Sequence, residues 1–361
     1  MPRFNPINDI PDLTGRIALV TGANSGLGYQ TVQQLANHGA KVYLTTRSEA
    51  KALDTIRRLE EANPALKDTG RLQYLVIDFS LVTSAKAGAE EFLRKESRLD
   101  ILVNNAGIVG EDFELTKEGL SITFATDHVS AFAFTNTLLP LLEATAKQPG
   151  ADVRLITISS VAHSSALKTT KFDSIDDFRD KCSPEAKVNS MGAIFARYGQ
   201  AKLANILFAS ELQRRLDAAG MPIISISVHP GGVATEGFER AIRSFGFGFL
   251  WPIFSWFLLS PLQGATTQLF AATSPEIRRD VDTYKGRYLI PYGKVAPEGK
   301  MSNLAKSPVL AGQLWGMTER VVGDILEKGS VPRVPPKLQH GPEDPRTGFR
   351  GKGPAKLRTE L

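Results

Sequence analysis

The run Arg16–Thr21 (RIALVT) is short, apolar and β-rich. It breaks into Thr21-Gly22-Ala23-Asn24-Ser25-Gly26-Leu27-Gly28 and passes straight into a helix-length segment, Tyr29–Asn37, with Val32, Leu35 and Ala36 on one face. A strand, a tight glycine turn and a helix start admit few architectures. Glycines let the backbone approach a pyrophosphate, and free N–H groups with the helix dipole favour its charge. The spacing is G-x-x-x-G-x-G, and its strand–turn–helix context carries the reading. Gly22, Asn24, Ser25, Gly26, Leu27 and Gly28 are the expected contacts of a dinucleotide.

The strand-then-helix rhythm recurs. Lys41–Thr46, Leu72–Asp78, Asp100–Asn104, Val153–Ser159 and Ile223–His229 are further runs of strand length, and Arg287–Pro291 is a seventh. Helix-length segments such as Ala85–Lys95 and Ile206–Ala218 lie between them. This predicts a doubly wound, Rossmann-type α/β fold: a mostly parallel seven-stranded sheet with helices on both faces. The expected organisation is an N-terminal arm over residues 1–13, one domain over 14–330 with an aromatic lid at about 236–262, and a flexible tail over 331–361.

Charge and cysteine content narrow the function classes. Cys182 is the single cysteine among 361 residues, which excludes an intrachain disulfide and a cysteine-built zinc site. No metal is expected. The net charge is +5, but Val331–Leu361 holds seven Lys/Arg against three Asp/Glu, leaving +1 for the rest. The basicity belongs to a tail with six prolines and four glycines, a composition that predicts mobility. A nearly neutral body argues against nucleic acid as a partner; such binding would have to run through the tail.

Met1–Gly15 has no apolar stretch of signal-peptide length, and Arg358-Thr359-Glu360-Leu361 matches neither an ER-retention nor a peroxisomal address. The expected location is cytoplasmic. Phe245–Leu259 is aromatic at seven of 15 positions and uncharged, with Gly246, Gly248 and Pro252 interrupting it. It is too short to span a bilayer. Two readings stay open: a lid over an apolar pocket, or a peripheral membrane contact.

The residue after the second run selects the cofactor. An acidic residue there would bond a ribose 2′-hydroxyl, whereas Arg47 suits a 2′-phosphate by charge and bidentate geometry. NADP(H) is therefore favoured, with a solvated surface arginine as the alternative. Asp78 closes the third run, where it reaches an adenine or forms a turn. Asn104-Asn105-Ala106-Gly107 ends the fourth with small residues where a cofactor lies against the backbone. In Tyr198-Gly199-Gln200-Ala201-Lys202, positions i and i+4 share a helix face. A lysine ammonium beside a phenol lowers its pKa and fits it for acid–base work during hydride transfer.

Taken in order, TGANSGLG, NNAG, ITISS, YGQAK and HPGGVAT resemble the short-chain dehydrogenase/reductase family over about residues 14–295. YGQAKLANILFASEL and VYLTTRS look most like its retinol-dehydrogenase-like branch and fungal secondary-metabolism relatives. The resemblance implies that Tyr198 is the acid/base, that Lys202 tunes it and holds the nicotinamide ribose, and that Ser160 bonds the substrate oxygen. It further implies that Pro230, Gly231, Val233 and Thr235 line the nicotinamide side, and that Asn105 and Gly107 pack beside the adenine ribose. Members often form homo-oligomers.

Two departures from the family pattern stand out. Asp127 occupies the place of an asparagine that helps hold a relay water; a carboxylate accepts but does not donate. Close to Lys202 it would pair with the ammonium. His128 is a second relay candidate, or a structural histidine. Ser160 and Tyr198 are also unusually far apart, by 38 residues, with a polar stretch from Ser164 to Arg197 that reads as a surface insertion beside the site.

Glu236–Pro261 follows the sixth run and carries Phe238, Phe245, Phe247, Phe249, Trp251, Phe254, Trp256 and Phe257. Such a lid favours a bulky lipophilic alcohol, aldehyde or ketone. The expected activity is NADP(H)-dependent hydride transfer to or from that carbon. The alternative is a cofactor-binding regulatory protein that has lost its chemistry.

Overall fold

The computed structural model describes residues 4–331, Phe245 and Phe257 excepted; the tail expected to be mobile lies outside them. One sheet runs through the molecule in the order β3-β2-β1-β4-β5-β6-β7-β8. Its strands are β1 (Ile17–Val20), β2 (Lys41–Thr46), β3 (Leu72–Val76), β4 (Ile101–Asn104), β5 (Arg154–Ile158), β6 (Ile224–Val228), β7 (Tyr288–Ile290) and β8 (Lys294–Val295). β1 to β7 are parallel, as expected. The count corrects the expectation of seven. β8 is a two-residue antiparallel addition, paired through Leu289↔Val295 after a left-handed turn at Tyr292 and Gly293. Two residues carry no readable alternation.

Every residue of β4, β5 and β6 is buried, which only a sheet covered on both faces allows. On one face α1 (Gly26–Asn37), α2 (Glu49–Ala62) and α7 (Pro261–Thr273) pack on Val20, Val42, Ile156 and Ile226. On the other, α3 (Val82–Lys95), α4 (Ser130–Ala146), α5 (Met191–Ala218) and α8 (Pro308–Lys328) pack on Leu19, Tyr43, Leu102 and Leu155. Neighbours along each strand thus serve opposite cores. α6 (Glu236–Ser244) lies outside both layers, in the lid segment.

Long-range polar contacts fix the start of α3 and join the first strand to the fourth. Residue Leu81 gives α3 no side-chain cap. Glu118, buried and far along the chain, accepts from Val82 N at 2.7 Å and Thr83 N at 3.0 Å and satisfies that helix end. Asp100 joins β1 to β4 by accepting from Ile17 N at 3.0 Å and pairing with Arg16 at 2.9 Å. Within the N-terminal arm, Ile10 and Leu13 are buried in the first core, and the Phe4 ring meets Phe270 edge-on at 5.5 Å.

The polar stretch between Ser160 and Tyr198 is more than a surface insertion. It plants Phe172 and Phe178 fully in the second core, where both rings meet Phe124 at 5.8 and 4.9 Å. Its charges mask two apolar anchors.

Candidate active site

Strand order reverses between β1 and β4, opening a crevice at their carboxyl ends, where ligands of open α/β sheets bind. The glycine turn forms its floor. Gly22 has φ +62°, and a Cβ there would stand 2.8 Å from Ala106 Cα. A Cβ on Gly28 would stand 2.6 Å from Asn105 Nδ2. Asn105 donates from that nitrogen to Thr21 O at 2.8 Å and Gly22 O at 3.0 Å, so its amide shapes the turn itself. α1 begins with no acidic residue and no side-chain cap from Ser25, which leaves its first amides to an anion. A cradle that any Cβ would fill, at an uncapped helix start, fits a dinucleotide pyrophosphate.

Around the adenine end the residues behave differently. Arg47 is exposed after β2, with no hydrogen bond or ion pair among the described residues. Asp78 accepts from Ser80 N at 2.9 Å, which is the turn-forming alternative. Arg58 was not legible in the sequence. Its guanidinium donates to Asn24 O at 2.7 Å and lies 5.0 Å from the Tyr29 ring centre, bracing the glycine turn from α2.

Tyr198 and Lys202 share one face of α5. The Lys202 ammonium lies 5.3 Å from the Tyr198 ring centre, and Tyr198, Lys202 and Ser160 all line a cavity of about 380 Å³. The two serines after β5 divide their tasks. Ser159 donates to Lys202 O at 2.7 Å and anchors α5, while Ser160 faces the cavity and accepts from Ala162 N at 3.1 Å.

Asp127 is buried and its Oδ2 lies 2.8 Å from Lys202 Nζ; its Oδ1 accepts from Ile108 N at 2.8 Å. It sits inside a π-turn, Ala125–Val129, between the short helical turn Ile122–Phe124 and α4. Such a turn re-aims side chains and recurs at functional sites. Gly107 makes room for the pair: a Cβ there would stand 3.0 Å from Asp127 Oδ2 and 3.1 Å from Lys202 Nζ. His128 contacts Thr318 Oγ1 at 3.3 Å and packs among Phe124, Phe132 and Phe208.

Lys202 acts on Tyr198 in the expected direction, but burial outweighs it. Burial holds the Tyr198 phenol above its ordinary value; Lys202 lowers it, Asp127 raises it, and a Ser160 hydrogen bond lowers it. Lysine alone does not set the phenol, because a carboxylate faces the same ammonium. Burial pushes Lys202 down, yet Asp127 and then Tyr198 hold it above its usual value, so it stays protonated. Burial raises the Asp127 carboxyl against Lys202 and the Ile108 amide.

Leu27, Pro230, Gly231, Val233 and Thr235 line the same cavity. Val233 pairs with Leu259, which closes the base of the lid. Of the described lid aromatics, only Phe238 reaches the cavity, backed by the Trp251 ring at 6.2 Å. Phe249 and Trp256 are 77% and 87% exposed, so a lid lined throughout by aromatics is not what forms. Phe245, Phe257 and the Phe254 side chain fall outside what is described. Phe195, Glu111, His229 and Arg240 also line the cavity. Of these only His229 lay in a motif singled out in the sequence.

Comparison with known proteins agrees with this geometry. The family profile described as short chain dehydrogenase matches residues 16–171. The short chain dehydrogenase/reductase dpchH of Colletotrichum higginsianum is 42% identical over 87% of this chain and 77% of its own. An uncharacterized oxidoreductase of Schizosaccharomyces pombe is 41% identical over 88% of both chains. Among solved structures, the Pseudomonas aeruginosa RhlG/NADP active-site complex superposes with a TM-score of 0.56 at 26% identity, covering 80% of this chain and 97% of that one. The chain belongs to the short-chain dehydrogenase/reductase family. It is an oxidoreductase of CH–OH and C=O groups, built on a fold that binds a nicotinamide cofactor.

Proposed function

We propose that the protein is an NADP(H)-dependent oxidoreductase that moves a hydride between nicotinamide and the carbonyl or carbinol carbon of a bulky lipophilic substrate. The observation that carries this reading is the convergence of Tyr198, Lys202 and Ser160 on one cavity above the glycine cradle. When bound, the cofactor supplies or accepts the hydride. Tyr198 gives its phenolic proton to the substrate oxygen in reduction and takes it back in oxidation. Ser160 holds that oxygen by donating a hydrogen bond to it. The Lys202 ammonium stabilises the phenolate, and it would hold the nicotinamide ribose when the cofactor is bound. Asp127 is the counter-ion that keeps Lys202 charged and aimed.

Arg47, exposed and unengaged at the adenine end, supports NADP(H) over NAD(H). Asn24, Ser25, Gly26 and Leu27 would contact the pyrophosphate side, Asp78 and Asn105 the adenosine side, and Pro230, Gly231, Val233 and Thr235 the nicotinamide. Lipophilic preference is supported by Leu27, Ile108, Val109, Phe195 and Phe238 in the cavity wall. The exposed Phe249 and Trp256 support peripheral membrane contact through 245–259; sedimentation with phosphatidylcholine vesicles tests it. No helix among the described residues is long and apolar enough to cross a membrane. A place in fungal secondary metabolism is supported by the fungal relatives alone.

Tyr198→Phe should abolish turnover on a panel of lipophilic aldehydes and ketones while NADPH binding persists; unchanged turnover would sink the assignment. A second reading is favoured by one observation. The Asp127–Lys202 pair engages the lysine that the chemistry needs, and a cofactor-binding regulatory protein without turnover would tolerate that. Binding of NADPH with no turnover of any panel member by the wild-type chain distinguishes it.

A further inference from the structure

His163 and Gly199 lie outside every role assigned above, yet both bear on the gap between Ser160 and Tyr198. His163 is buried, in the 3-10 turn Val161–Ser165 that follows Ser160 directly. Its Nδ1 is 2.8 Å from Ser160 O, and its Nε2 accepts from Ser302 N at 3.2 Å. A backbone N–H can only donate, so Nε2 is the acceptor, the proton sits on Nδ1, and Nδ1 donates to Ser160 O. The ring is backed edge-on by Tyr288 at 5.3 Å.

The other side of the turn presses on α5. A Cβ on Gly199 would stand 2.5 Å from Ala162 O and 2.8 Å from Ala166 N. Only glycine lets the turn approach the helix this closely, one residue after Tyr198. The segment bearing Ser160 is therefore gripped between α5 and Ser302, with His163 as the bolt.

We propose that His163 is a positioning residue that sets Ser160 against Tyr198. It does so by joining the Ser160 carbonyl to Ser302 N, from the segment after the last strand. Its kinetic arm rests on the oxidoreductase reading; its structural arm does not.

The test compares wild type with His163→Phe, which keeps a buried ring beside Tyr288 but removes both nitrogens, and with His163→Asn, which keeps a donor toward Ser160 O. Amide hydrogen exchange over residues 160–166 reads the grip without turnover. Exchange there should rise at least tenfold in His163→Phe, and less in His163→Asn, with exchange in β4 and β5 unchanged. On a panel aldehyde that wild type reduces, kcat should fall about tenfold or more, with NADPH dissociation unchanged within twofold. In a Ser160→Ala background the same substitution should lower kcat no further, because the positioned hydroxyl is already gone. Unchanged exchange over 160–166 in folded His163→Phe overturns the proposal, as does a loss of kcat that multiplies with that of Ser160→Ala. Increased exchange with no wild-type turnover would uphold the grip and defeat the oxidoreductase reading instead.

Discussion

Asp127 Oδ2 and Lys202 Nζ form a buried ion pair of 2.8 Å directly beneath the cavity. The carboxylate faces the ammonium from a π-turn, and its other oxygen accepts a hydrogen bond from Ile108 N. Because Asp127 raises the Tyr198 phenol, Asp127→Asn should lower it. In the oxidation direction the phenolate is the base, so the rising limb of the pH–rate profile should move to lower pH. A limb that stays in place would remove Asp127 from the electrostatics of Tyr198.

Lys202→Met leaves the Asp127 carboxylate buried without its partner. Breaking one half of a buried pair costs about 3–5 kcal/mol. Urea unfolding near neutral pH should register a loss of that order, and part should return at lower pH as the carboxyl, already raised by burial, is protonated. A loss that does not shrink on acidification contradicts a charged, stranded Asp127.

Phe172 and Phe178 decide whether the insertion is ornament or core. Truncating a fully buried Phe costs about 3–5 kcal/mol. Phe172→Ala should lower the urea midpoint accordingly, whereas a surface loop would yield less than about 0.5 kcal/mol. The Phe124 ring, packed against both, directly precedes the π-turn holding Asp127.

Buried neutral histidines predict an acid limb in stability. Burial lowers His128 to about 3, His229 to about 4, and also lowers His163. Their folded values lie below the unfolded one, so their contribution is complete above about pH 6.5 and declines below it. Each adds a slope of about 1.4 kcal/mol per pH unit while the unfolded chain binds its proton and the native chain does not. His128→Phe should flatten the decline between about pH 6 and 4; an unaltered slope would place the protons elsewhere.

Much of this was legible in the sequence because its carriers are local. The glycine turn, the near-continuous strands and Tyr198–Lys202 depend on neighbours within a few residues, and each lies where spacing put it. Asp127 facing Lys202 was also readable, from its departure at one aligned position. What escaped the sequence depends on distant partners. Glu118 capping α3, Arg58 bracing Asn24 and His163 gripping Ser302 join positions with no shared period. The lid misled because aromatic content reports apolar surface but not its direction: Phe238 turns inward while Phe249 and Trp256 face out. Likewise the charges of the insertion outnumber Phe172 and Phe178, and composition averaged the anchors away.

Asn105 donates to Thr21 O and Gly22 O across 84 and 83 residues of chain. The glycine turn is thus complete only when β4 lies beside β1. Closing so long a loop costs entropy before its contacts reward it, so the turn is expected to form late in folding. A nucleotide held there binds the native chain and not its unfinished precursors. It should slow unfolding and leave the rate of folding nearly unchanged.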